Sequence, residues 1–207
     1  MDPLAHTLLA PIFRDARDML LLTWAGVRAP SVAALDTAAA LGRGIHKAEK
    51  DLTERLVTEP AETASLRLVP AHVERIGDSI EGLIRCCQLM AAEGTVFTPR
   101  GTREVNMLFE RTVEMLECAG DLTLTGNRVL ARHVEIESLR FEDLASEYAR
   151  AHEDRLVEGD CRPAASSAFL AILDYLREIT RHAPPWARVL SRAYSPRGGT
   201  FSPIPDF

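Results

Sequence analysis

The 207-residue chain is 46% hydrophobic and 26% charged, with a net charge of −6. It therefore holds enough apolar material for a sizeable core and lacks an overall basic field for nucleic acid. No apolar run approaches the roughly 20 residues that cross a bilayer, so no transmembrane segment is predicted. The opening MDPLAHTLLAPIFRDARDML places Asp2, Pro11 and Arg14 where a secretory signal needs an unbroken apolar stretch, which predicts a cytoplasmic protein. Cys86, Cys87, Cys118 and Cys161 form no Cys-x-x-Cys and read as reduced thiols rather than zinc ligands.

Helical periodicity runs along the chain, and sustained period-2 alternation is absent. Six helices are predicted. The first covers about residues 3–27 and stops before Pro30. Its apolar run around Trp24 packs in the core, and an exposed edge of that run is a candidate partner or homodimer surface. Ser31 suits the N-cap of a second helix over about 32–57. After the break TEP at 58–60, a third helix runs over about 61–92. It carries a seam of Val69, Val73, Ile76, Ile80, Leu83, Cys87 and Met90, with spacings alternating between 4 and 3. Pro70 either kinks this helix or marks its first turn. The loop EGTVFTPRGT leads to a fourth helix over about 102–122, with Val105, Leu108, Thr112, Met115 and Ala119 as its seam. A fifth is predicted over about 127–158. A sixth covers about 164–182, with Phe169, Leu173, Leu176 and Thr180 inward and APP at 183–185 ending or bending it. The tail from 194 is rich in Pro, Gly and Ser and reads as irregular.

These helices fall into a weak repeat of about 100 residues. Glu74 and Asp174, and likewise Asp78 and Glu178, stand 100 positions apart. The expected architecture is all-α, two three-helix bundles in tandem: residues 1–93, residues 94–193, and the tail 194–207. Glu74 and Asp78 are four apart on one helical face, with Glu81 continuing the row; Asp174 and Glu178 repeat the arrangement. Carboxylates so placed repel one another unless a cation or an arginine intervenes. A divalent or trivalent metal is one solution. Pairing with Arg75, Arg85, Arg177 and Arg181 is the other.

The stretch VERIGDSIEGL resembles the signature of the PhoU family, and ASLRLVPAHVERIGDSIEGL resembles its longer lead-in. IHKAEKDLTERL is similar to the family's second-helix segment, and AFLAILDYLREITRHA to a degenerate second copy. The resemblance spans about residues 10–190. It implies a regulator of inorganic phosphate uptake that is not itself a transporter, acting at the cytoplasmic face of a phosphate transporter and through its sensor kinase. Similar domains occur fused to sodium–phosphate cotransporters. Some members hold iron or zinc clusters through acid-x-x-x-acid pairs, which by resemblance designates Glu74 and Asp78, and Asp174 and Glu178, with Glu81 in the same row. Glu49 and Glu137 match further family acids. The sequence departs from the pattern at His46, Arg85, Arg140 and His182, and the two histidines are candidate ligands in place of the usual residues.

Two other classes stand beside this reading. A metal-free helical adaptor is favoured by arginine at positions 85 and 140. A carboxylate-bridged metalloenzyme would want a Glu-x-x-His pair on facing helices, and no stretch supplies one. No nucleotide-binding glycine loop or Gly-x-Ser-x-Gly elbow is present. The expectation is a binding protein rather than an enzyme.

Overall fold

The structure, a computed structural model, describes residues 9–29, 31–58 and 66–193. Among the described residues there are six α-helices, α1 (Ala10–Arg28), α2 (Val32–Thr58), α3 (Val69–Glu93), α4 (Pro99–Thr125), α5 (Arg128–Val157) and α6 (Pro163–Ala193). Of the predicted break at 58–60, Thr58 is still the last residue of α2; residues 59–60, the predicted starts of the first helix at 3 and of the third at 61, and the tail from 194 lie outside the described residues.

Local chemistry sets the ends. Ser31 Oγ accepts from the Ala34 amide at 3.3 Å and opens α2. Pro70 occupies the first turn of α3, where a missing N–H costs nothing. Gly94 closes α3 at φ 64°, with its amide donating to the last carbonyls; the left-handed conformation is cheap only without a Cβ. Thr98 then caps α4 by accepting from the Gly101 amide, so this helix starts at Pro99, three residues earlier than predicted. The loop is correspondingly shorter.

The sixth helix departs most from expectation. It runs through Pro184 and Pro185 to residue 193. Pro184 cannot donate to the Thr180 carbonyl, which a helix interior would ordinarily leave unsatisfied. Ser138 Oγ of α5 donates to that carbonyl instead, at 3.1 Å. Beyond the prolines Trp186 is fully buried, its ring 4.0 Å from that of Phe13 on α1. A neighbouring helix thus repairs the backbone, and burial of a large ring holds the extension in place.

Helices α1–α3 form one bundle and α4–α6 the other. The bundles join side by side, with α3 against α6 and α1 against α4, leaving α2 and α5 on the two outer flanks. The seams predicted for the third, fourth and sixth helices are buried throughout, and they feed a single continuous core. Thr112 sits in that core because its hydroxyl donates to the Leu108 carbonyl at 2.8 Å. Trp24 spans the α1–α4 contact. Its indole N–H donates to Asn106 Oδ1 at 2.6 Å, and its ring stacks at 6.1 Å from Phe109. Gly82 is the close-approach point of α3 and α6, where a Cβ would sit inside the ring of Tyr175.

Candidate functional site

The predicted residues lie along the α2–α3 contact in the first repeat and on α5 and α6 in the second. At the first, Gly77 lets the Ile45 side chain approach to 3.5 Å of where a Cβ would stand. One turn on, Gly42 of α2 makes room for the Glu81 carboxylate, which a Cβ would meet at 2.6 Å. Glu81 Oε1 lies 3.0 Å from His46 Nε2, and its other oxygen 3.7 Å from Arg85. Glu49 accepts from the Thr53 hydroxyl at 2.7 Å on its own helix. Glu74 and Asp78 are exposed on the outer side of α3.

In the second repeat arginines occupy the corresponding space. Arg177, 100 positions after Gly77, reaches α5, with Nη2 2.8 Å from Ser146 Oγ and Nε 3.6 Å from Glu142. It also lies 3.7 Å from Asp174, which is itself exposed. Glu178 is shared between Arg181 at 3.3 Å and His182 Nε2 at 3.0 Å. His182 in turn points across the bundle interface, its Nδ1 3.1 Å from Nδ1 of His72 on α3. Burial first, and the facing His182 second, hold the His72 pKa below the usual imidazole value. Glu137 faces α4 rather than α6: it accepts from Arg140 at 2.7 Å and lies 4.0 Å from Arg111.

Four of the predicted residues thus meet in two pairs, His46 with Glu81 and Glu178 with His182. Glu49, Glu74, Asp78, Glu137 and Asp174 are not brought together with them. Among the described residues, no three His, Cys, Asp or Glu side chains converge as a metal ion requires. Most of these acids are committed to arginine, histidine or hydroxyl partners, so the arrangement does not fit a multinuclear carboxylate cluster. Sequence reasoning missed His72, although it lies three residues after Val69 and four before Ile76, in the seam's own spacing. It also missed Glu142, whose acid-to-arginine partnership with Arg177 has no local signature.

Two adjoining three-helix bundles with α2 and α5 on the outer flanks make up a PhoU-like fold. No protein-family model matches the sequence, and no curated protein matches it. The structure superposes on the crystal structure of PhoU from Pseudomonas aeruginosa with a TM-score of 0.83, covering 91% of this chain and 94% of that one at 18% identity. Among the described residues no helix is long and apolar enough to cross a membrane.

Proposed function

We propose that the chain is a regulatory protein of inorganic phosphate uptake and signalling. It acts by docking on a phosphate transporter, on its sensor kinase, or on both, at the cytoplasmic membrane face. The observation that supports this reading is the near end-to-end likeness to PhoU, which covers both bundles and their side-by-side packing. A match to one three-helix bundle would say little, because that unit is common. The order and packing of six helices is a narrower coincidence. The ERIGD segment adds a resemblance independent of the superposition.

In this reading helix surfaces do the work, and no step passes through a metal or a covalent intermediate. The neutralisation of Asp174, Glu178 and Glu137 by arginine favours a metal-free adaptor over the cluster-bearing form. Metal content of protein purified without chelator, wild type against Glu74→Ala/Asp78→Ala, separates the two. Near-stoichiometric iron or zinc that is lost in the double variant would restore the cluster-bearing form. The regulatory reading itself is tested by deleting the gene and measuring phosphate-starvation reporters in high phosphate, together with capture of the purified transporter ATPase or kinase. Derepressed reporters and direct capture are expected. Normal repression without capture of either partner would overturn it.

A further inference from the structure

At the end of the second bundle, where α5 turns into α6, a cluster stands apart from the residues discussed so far. His152 is buried to 3% exposure and stacks on Phe169 with ring centroids 4.3 Å apart. Its Nε2 lies 2.6 Å from Ser166 Oγ, and its Nδ1 4.0 Å from the Cys161 thiol, the outer limit of a sulfur hydrogen bond. The tautomer that satisfies both contacts has Nε2–H donating to Ser166 and Nδ1 free to accept from sulfur. Burial, and after it the Arg155 charge, keep the His152 pKa below the ordinary value, so the ring is neutral at neutral pH.

Arg155 supplies the charge. Its side chain is 8% exposed and its guanidinium grips Glu104 in a fork, Nη1 at 2.9 Å and Nη2 at 2.5 Å, while its Nε has no hydrogen-bond partner among the described residues. Arg100 donates to the same carboxylate at 2.9 Å. Two guanidiniums on one carboxylate leave net positive charge, and Arg155 also interacts with the Cys161 sulfur. Asp160 and Arg162 flank the thiol in the turn, and Glu153 lies beside His152 on α5. Cys161 is half-exposed, two residues before α6, where the helix N-terminus adds a favourable potential for an anion. A cavity of about 240 Å³ opens on it between Phe97, Phe169 and His152.

We propose that Cys161 is a reactive thiol, oxidised by hydrogen peroxide to a sulfenic acid with His152 as its base. The thiol proton passes to His152 Nδ1. The sulfur attacks one peroxide oxygen, an S–O bond forms as the O–O bond breaks, and the departing hydroxide takes the proton back from the imidazolium. Sulfur loses two electrons, and the peroxide is reduced to water. A partly exposed cysteine two residues before a helix N-terminus, with a neutral base at its sulfur and a cavity in front of it, is placed to react as a nucleophile. The other three cysteines are not so placed: burial raises the pKa of Cys86, Cys87 and Cys118, and nearby acids raise Cys118 further. This inference is independent of the phosphate reading.

The test uses the reduced full-length chain, substoichiometric hydrogen peroxide, a sulfenic-acid trap and peptide mass spectrometry. Cys161 is expected to be trapped about tenfold or more faster than Cys118, whose thiol is pushed up by burial and neighbouring acids. The rate of sulfenic-acid trapping at Cys161 should also fall in His152→Asn, with Cys118 in the same molecule as the reference. Because all four cysteines share one folded molecule, the wild-type comparison stands even where a variant fails to fold. Trapping of Cys161 no faster than Cys118, or an unchanged trapping rate at Cys161 in a folded His152→Asn protein, would overturn the proposal.

Discussion

The two repeats solve one packing problem with opposite chemistry. On α3 the position facing the outer helix is Gly77, so Ile45 packs close; Glu74 and Asp78 are left to solvent, and Glu81 to His46 and Arg85. On α6 the corresponding position is Arg177, which fills the gap with a charged side chain held by Ser146 and Glu142. Small residues bring helices together and leave carboxylates free. Arginine spans a wider gap and consumes them. The first repeat therefore keeps the more available acidic surface, and the second keeps an arginine-lined groove of about 680 Å³ between α5 and α6.

The two repeats differ most beyond the prolines, where the second carries the fully buried Trp186. Trp186→Ala is expected to cost about 3–5 kcal/mol, as for other large-to-small core changes, read from the urea midpoint. A loss below about 1 kcal/mol would mean that the extension of α6 contributes little.

Gly82→Ala forces the Tyr175 ring aside at the contact of α3 with α6, and about 1–3 kcal/mol of destabilisation is expected from overpacking. Gly44→Ala meets nothing within 4 Å and should instead stabilise α2 by up to about 1 kcal/mol. Equal effects at the two positions would show that backbone propensity, not the inter-bundle contact, governs both.

Ser138→Ala removes the hydroxyl that serves the Thr180 carbonyl, and a loss of about 1–2 kcal/mol is expected. Restoring the amide with Pro184→Ala in the same background should recover part of it. No recovery would assign the Ser138 effect to something other than the proline gap.

The smallest effect concerns pH. The His72 pKa is lowered in the folded state, so the unfolded chain binds this proton more readily. The associated stability is complete above about pH 6.5, the unperturbed imidazole value, and falls as pH drops below it. His152 shifts in the same direction, so His72→Gln should flatten, without abolishing, the fall in melting temperature between pH 7 and pH 5. An unchanged slope would remove the His72–His182 contact as a source of acid sensitivity.

Periodicity alone determined much of this protein. Apolar residues at 3- and 4-residue spacing have one way to be buried together, so the six helices, the seam from Val69 to Met90 and the tandem arrangement were all legible in the sequence. So was the acid row, because residues four apart on a helix share a face wherever the helix goes. Tertiary structure decided the partners. Glu137 faces α4 through the rotation of α5 about its axis, which a weakly amphipathic helix does not encode. His182 meets His72, 110 positions away, only because the bundles pack with α3 against α6. Pro184 and Pro185 read locally as a stop, and the helix continues because a serine on another helix provides the hydrogen bond that the chain's own backbone cannot. Local sequence fixes which face a side chain occupies; the opposing helix fixes whether that side chain is paired, buried or left available for function.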